Sequence, residues 1–401
     1  MHGPRVLFVN HTSTGAGAEL VLLDLVQAWA GASAYLFEDG TLNAAMRSRG
    51  VQVQVARWGS GLAGVRRDSN LLRALPLAGR LAATTAGLVR AARRHDVIYA
   101  NSQKAFVLAS AAAALARRPL IWHLHDIISH AHFGQGQRRL QVGLANRCAA
   151  RVIVPSDAAA EAFRAAGGRA GLVEVIPNGI DLVRDPLPQA ALREGLGLPP
   201  GPLIGVFSRL APWKGQHVVL RALARLPGVR CILAGDALFG EHAYARTLHE
   251  LARDLGVADR VQFLGQRSDV PRLMQACDAV IHPSVDPELF GRTLIEAMLM
   301  RVPIIASDTG APSEILEGGA AGTLVPPGDV SALAAAVMAV LADPLGLAAQ
   351  LDQAEARARS QYGVVPMRAR TVDLIGRVVA ESRTGAAAGR RVGAVQSHVA
   401  R

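Results

Sequence analysis

The sequence predicts an α/β protein with two Rossmann-like domains facing each other across a cleft and a C-terminal helix crossing back to the first. Three observations predict this. Short, near-continuous apolar strands alternate with amphipathic helical stretches, the pattern of parallel sheets covered on both faces. The alternation breaks off in a Pro/Gly-rich stretch at 186–202 and restarts at Leu203. A last helical segment, 364–381, follows the final strand of the second half. At 401 residues the chain also exceeds one ordinary core.

In the first half, a strand at 6–9 leads through a Gly-containing loop at 13–17 into a helix at 19–30. Further apolar strands read at 34–37, 52–56, 97–100, 120–124 and 152–155. The phrase VIPNGID at 175–181 puts Asn-Gly after an extended segment, suiting a turn that needs positive φ. In the second half, strands read at 203–208, 231–234, 261–264, 279–282, 304–307 and 323–325. Helices at 215–226, 244–255, 270–276, 293–300 and 330–341 lie between or after them. The expected boundaries are 1–178, 179–363, a return helix at 364–381 packing on the first domain, and a flexible basic tail at 382–401.

Composition narrows the class. Half the residues are hydrophobic and 19% are charged, which suits a buried globular chain rather than disorder. The apolar run 105–116 stops at Arg117 and Arg118, short of the roughly 20 residues a membrane span needs. With no secretory pattern ahead of the first strand and three scattered cysteines (Cys148, Cys231, Cys277), a reduced, cytoplasmic protein is expected. The net charge of +11 is uneven: residues 1–178 hold 20 Arg/Lys against 10 Asp/Glu, and residues 179–401 hold 23 against 22. A basic first half points to an anionic partner, or is simply a solvated basic face. Aromatics are only 4% and do not interleave with the arginines, so nucleic acid is not expected, whereas an anionic membrane surface or a phosphorylated acceptor is.

Ligands of open parallel sheets bind beyond the carboxyl ends of the strands. After the strand at 279–282 comes HPSVDPELFGRTLIEAM, with Glu288 before a helix, Gly291 near its start and Glu296 inside it. The N–H groups around Leu289, Phe290, Gly291 and Arg292 make an anion site there. One carboxylate would grip sugar hydroxyls and the other a ribose diol. In the loop after 203–208, Arg209 and Lys214 suit a diphosphate. The chain has 41 Arg and only two Lys, so a lysine kept there is informative. No Asp-x-Asp occurs to hold a cation on a diphosphate; Arg and Lys would do that work, with no metal and no separate cofactor.

The loop TSTGAGAEL (12–20) carries Gly15 and Gly17 but has Leu20 at the third glycine position of a dinucleotide fingerprint, so that match fails. Glu38, ending the second strand, keeps a dehydrogenase barely in view. HLHD at 123–126, with His130 and His132 nearby, raises a metal site but lacks a complete metal-hydrolase pattern.

These phrases resemble retaining glycosyltransferase family 4, enzymes of the two-domain GT-B fold. The resemblance rests on Glu288 and Glu296 as its E-x7-E signature within PSVDPELFGRTLIEAMLMRVPIIASDTGAPSEIL. It extends to GTLVPPGD, GVFSRLAPWKGQHVVLRAL, LAGD at 233–236 and VQFLG at 261–265. It covers 5–380 and is looser in the first half, where the family's GGAE phrase has Ala16 for its first glycine.

The resemblance implies a nucleotide-sugar donor of UDP or GDP type and transfer of a hexose-type group, with retention, to an acceptor hydroxyl. The acceptor would be a glycan or a lipid-linked molecule of cell-surface polysaccharide or glycolipid synthesis, met at the inner face of the membrane. It implies that Arg209 and Lys214 hold the donor phosphates, that His125 lies near the anomeric carbon and that Gly265, Gln266 and Arg267 meet the base. Gly15 and Gly17 would approach the sugar-phosphate or acceptor from across the cleft. A catalytic set of Glu288, His125, Arg209 and Lys214 is expected, with opposed sheet edges placing cations and carboxylates around one pyrophosphate. A same-fold nucleotide-sugar epimerase and a non-catalytic binding protein are the alternatives.

Overall fold

The computed structural model describes residues 3–13, 17–57, 78–126, 128, 134–237 and 240–398. The chain divides into two compact units. One is Met1–Pro155, Ala159–Gly179 and Val364–Arg401; the other is Ser156–Ala158 and Ile180–Gly363.

The first unit holds a seven-stranded parallel sheet of β1 (Val6–Asn10), β2 (Ser33–Leu36), β3 (Gln52–Val55), β4 (Val97–Ala100), β5 (Leu120–His123), β6 (Arg151–Val154) and β7 (Val173–Val175). Their order is β3-β2-β1-β4-β5-β6-β7. The connecting helices are α1 (Gly17–Val26), α2 (Thr41–Ser48), α3 (Ala78–Ala92), α4 (Gln103–Ala116), α5 (Gln135–Cys148) and α6 (Asp157–Ala165). Every residue of β1, β4 and β5 is buried, because helices cover both faces, and that is why these strands read as unbroken apolar runs. β7, only three residues long, was hidden at the start of the predicted turn.

The second unit holds β8 (Leu203–Phe207), β9 (Arg230–Ala234), β10 (Val261–Gly265), β11 (Ala279–His282), β12 (Ile304–Ser307) and β13 (Thr323–Val325). They form one parallel sheet in the order β10-β9-β8-β11-β12-β13. Its helices are α7 (Gln189–Gly195), α8 (Gln216–Leu223), α9 (His242–Asp254), α10 (Val270–Ala276), α11 (Arg292–Met300), α12 (Pro312–Ile315), α13 (Val330–Ala342) and α14 (Ala348–Tyr362). Buried Phe207, Ile232, Leu294 and Met298 pack in one core cluster of this unit, while Val206, Leu220, Leu223 and Val337 pack in another.

After Gly363 the chain rejoins the first unit as α15 (Val364–His398). Met367, Leu374, Ile375, Val378 and Val379 of α15 join Phe8, Leu22 and Leu36 in the first unit's core.

One expectation is corrected. The stretch 186–202 is not a plain linker: α7 forms between its prolines, buries Leu192 and ties Arg193 Nε to the Ala276 carbonyl at 2.7 Å. From residue 382 the helical backbone of α15 continues through His398. Pro366, the one proline of α15, sits in its first turn, where the missing N–H costs nothing. Among the described residues no helix is long and apolar enough to cross a membrane.

Candidate active site

In the second unit the chain winds from β8 through β9 to β10 on one side, then returns to lay β11, β12 and β13 on the other. The winding reverses between β8 and β11, which pair directly, and connections leaving in opposite directions open a crevice beyond their carboxyl ends. The loop after β8 carries Arg209 and Lys214; the loop after β11 carries Glu288 and leads into α11. The two loops therefore come from adjoining strands of one sheet. The expectation of opposed sheet edges is corrected by this strand order.

Lys214 Nζ and Glu288 Oε2 form a buried ion pair. The same carboxylate oxygen accepts from Ser284 Oγ at 3.2 Å and lies 3.2 Å from His282 Nε2. His282 is buried and its pKa is lowered, first by that burial, so the ring is neutral at physiological pH. Its Nε2–H then donates to Glu288, while Nδ1 accepts from Thr293 Oγ1 at 3.0 Å. Burial pulls the Glu288 pKa upward, but Lys214 and His282 outweigh it and hold the carboxyl well below the usual range. Glu288 is thus ionised, with a single orientation for its charged oxygen.

The backbone makes this arrangement possible at two glycines. Gly215, just after Lys214, has φ +71°, and a Cβ there would lie 1.9 Å from the Pro283 carbonyl oxygen. Gly310 has φ +80°, and a Cβ there would lie 2.3 Å from the Glu288 carbonyl oxygen. Glycine at both positions lets three loops press together. Hydrogen bonds then lock them: Val285 N to Trp213 O at 2.8 Å, Glu288 N to Thr309 O at 3.1 Å and Ala311 N to Glu288 O at 2.9 Å. Fully buried Gln216 donates to Ser208 Oγ and to the Arg209 carbonyl at 2.9 and 2.8 Å, fixing the cationic loop from beneath.

Arg209 reaches Glu241 at 3.5 Å, and both Arg209 and Lys214 lie against the Trp213 ring, at 5.5 and 4.1 Å from its centroid. Glu296 is largely buried on α11 and accepts from Arg292 Nε at 2.7 Å; burial raises its pKa against the pull of Arg292. Among the described residues no protein acceptor meets the N–H of Leu289, Phe290 or Gly291 ahead of α11. Gly265 ends β10 with φ +62° and open space at its Cβ position; Gln266 beyond it is exposed, and Arg267 pairs with Asp269 at 2.6 Å.

The first unit has its own reversal, between β1 and β4. Gly15 lies outside the described residues, as do His130 and His132. Gly17 opens α1, and among the described residues nothing lies within 4 Å of a Cβ placed there. Asn10 Nδ2 donates to the buried Glu19 carboxylate at 3.1 Å, and Glu38 accepts from Ser13 N at 3.2 Å. Ser102 Oγ caps α4 by accepting from Ala105 N, so its proton is free for His11 Nδ1 at 2.8 Å. Burial, helped by Lys104, lowers the His11 pKa to about 4. His125 lies just past β5, 3.0 Å from Asn101 through Nε2, with its pKa lowered to about 3 by burial. His123 is a core histidine bonded through Nδ1 to Tyr99 OH at 2.7 Å.

Sequence reasoning missed His282, Ser284, Gly215, Gly310 and Gln216. The HPS tripeptide closing β11 was the available signal for the first two. A recess of about 550 Å³ lies elsewhere in the second unit, at the amino ends of β8, β11 and β12, lined by Arg193, Asp278, Arg301 and Pro303. It is remote from the Lys214–Glu288 crevice, which opens at the carboxyl ends. Among the described residues, no group of three or more His, Cys, Asp or Glu is placed to hold a metal ion.

Two family models match the chain: "Glycosyltransferase Family 4" over residues 16–184 and "Glycosyl transferases group 1" over residues 189–360. A crystal structure of Anabaena HepE in complex with UDP and glucose is 39% identical, with a TM-score of 0.82. It covers 93% of this chain and 99% of its own. Over 178 residues the chain is 38% identical to a D-inositol 3-phosphate glycosyltransferase of Mycobacterium marinum, 43% of this chain and 38% of that protein. A GDP-mannose-dependent alpha-(1-6)-phosphatidylinositol monomannoside mannosyltransferase of Mycolicibacterium smegmatis is 35% identical over 198 residues, 47% of this chain and 52% of its own length. The matches thus span about half or less of these two curated relatives.

Proposed function

The chain belongs to the family-4 glycosyltransferases, of the GT-B fold, and on that premise we propose that it transfers a hexosyl group from a UDP-hexose to an acceptor hydroxyl with retention of anomeric configuration. The buried Lys214–Glu288 pair at the β8/β11 reversal carries this reading, because a nucleotide diphosphate sugar calls for a fixed cation and a fixed carboxylate side by side. HepE, 39% identical over nearly the whole chain, has been crystallised with UDP and with UDP-glucose, which favours uridine over guanosine.

In this reading Arg209 and Lys214 bind the diphosphate and stabilise the charge that grows on it as the bond to the anomeric carbon breaks. Preorganised cations of this kind supply on the order of 10²–10³ in rate. The N–H groups of Leu289, Phe290 and Gly291, which meet no acceptor among the described residues, add donors at the entrance to α11. Glu288 accepts from sugar hydroxyls, Glu296 from the ribose diol, Gly265, Gln266 and Arg267 border the base, and His125 serves the reacting sugar. The acceptor oxygen bonds to the anomeric carbon on the face the phosphate leaves, and its proton passes to the departing phosphate oxygen. No metal takes part.

The basic first unit suits a phosphorylated or lipid-linked acceptor, and the two mycobacterial relatives are named for inositol phosphate and phosphatidylinositol mannoside acceptors. A role in cell-surface polysaccharide or glycolipid synthesis at the inner membrane face follows from that chemistry.

The test is a thermal-shift and turnover panel of UDP-glucose, UDP-galactose and GDP-mannose, with the product's anomeric configuration read by NMR. Stabilisation by UDP-sugars and an α-linked product are expected. Absence of binding by all donors, or a β-linked product, would refute the reading.

A further inference from the structure

Asn101 is fully buried at the end of β4, and its side-chain amide is pinned at both ends. Nδ2 donates to the Ala18 carbonyl in the first turn of α1 at 3.1 Å, and Oδ1 lies 3.0 Å from His125 Nε2. The opposite amide orientation would set Oδ1 against the Ala18 carbonyl, two acceptors facing each other with no proton between them. The carbonyl therefore decides which amide atom faces His125, and the imidazole must present a proton on Nε2. Nδ1 of His125 makes no hydrogen bond among the described residues, and the ring is only partly covered.

We propose that Asn101 is a positioning residue that locks His125 as the Nε2–H tautomer, so that its bare Nδ1 accepts a hydrogen bond from a ligand hydroxyl rather than donating one to a phosphate. The proposal rests on the reading of His125 as a substrate-contacting residue given above. It sorts the ligand groups this side chain can meet: a sugar or acceptor hydroxyl fits, while a phosphate oxygen, having no proton to give, does not.

The neighbourhood keeps the ring neutral. The His123 ring lies 3.9 Å away, centroid to centroid, and is itself buried, with Nδ1 on the Tyr99 hydroxyl. Two imidazolium rings at that separation would repel, and burial disfavours charge on either. A neutral ring has one protonated nitrogen, and the amide selects which.

The experiment is two-bond proton–nitrogen correlation NMR on the ligand-free protein labelled with 15N-histidine, with His125 identified by the signals lost in His125→Gln. The wild type is expected to show a protonated Nε2 and a bare Nδ1 at neutral pH. In Asn101→Ala the Nδ1–H form should appear, and kcat should fall at least about tenfold with little change in donor KM, as for other wrong-tautomer variants. An Nδ1–H or doubly protonated His125 in the wild type would overturn the proposal, even if the variant fails to fold. So would an unchanged tautomer in a folded Asn101→Ala. A locked Nε2–H tautomer in a protein that transfers no hexose from any donor would sink the proposed function instead and leave this assignment standing.

Discussion

The Lys214 ammonium and the Glu288 carboxylate, on loops that follow adjacent strands, are paired in a site where their side chains are only 13% and 9% exposed. An anion entering this crevice meets a cation that is already oriented. It must compete for that cation with a carboxylate that His282 and Ser284 hold in place. The pair thus couples stability, ligand binding and turnover, and the three can be measured apart.

Lys214→Ala should destabilise the second unit by about 3–5 kcal/mol, since it strands a buried carboxylate. Adding Glu288→Gln to that variant should recover part of the loss, because no uncompensated charge then remains. Denaturant unfolding of both single variants and the double one tests this. Losses that simply add would mean the two groups are not coupled.

Acid should expose the same pair. A carboxylate held below its ordinary pKa stabilises the fold above the unfolded glutamate value of about 4.3, and that contribution is lost as pH falls further. His282, with its pKa lowered by burial, pulls the same way, since its protonation below about 6.5 opposes the folded form. The melting temperature should therefore drop between about pH 5 and 3, and less steeply in Glu288→Gln. Parallel curves for the two proteins would show that Glu288 is not responsible.

Gly215→Ala should cost roughly 1–3 kcal/mol, the scale of a residue held in a strained backbone conformation, and weaken UDP binding. The new methyl would strike the Pro283 carbonyl and part the two loops. Gly17→Ala, with open space at the same position, should leave the melting temperature unchanged or higher. Equal melting temperatures for Gly215→Ala and the wild type would contradict the packing.

Glu296→Ala should leave the fold intact and weaken free UDP by about 10- to 100-fold, the scale of a lost charged hydrogen bond. Titration calorimetry reads this directly, and full affinity would remove Glu296 from the ribose.

Ending the chain after Gly363 should unfold the first unit. The cut removes Met367, Leu374, Ile375, Val378 and Val379 from its core. Truncating one such side chain typically costs about 2–5 kcal/mol, and a whole domain holds only about 5–15. A chain ended after Thr384 retains all five and should melt like the full protein. Circular dichroism and limited proteolysis separate the two, and a stable first unit without α15 would refute its place in the core.

The strands of the second unit were legible almost to the residue, because each is a short apolar run bounded by turn formers. Helix α7 was not, since the prolines and glycines around it read as punctuation and only Leu192 marks its buried side. Glu288, Arg209 and Lys214 stood out by residue type and by position after strands. His282 did not, because a histidine ending an apolar strand reads as a core residue until its partners are known.

What the sequence determined by itself was local: where strands and helices run, that there are two sheets and which loops carry charge. These follow from periodicities of two and 3.6 residues and from turn chemistry, which neighbouring residues along the chain settle among themselves. Only the tertiary structure decided that residues 214 and 288 meet, that Glu288 is ionised and fixed, and that Asn101 reaches both Ala18 and His125. Those contacts depend on strand order, and strand order is settled by burying faces that lie far apart in the chain.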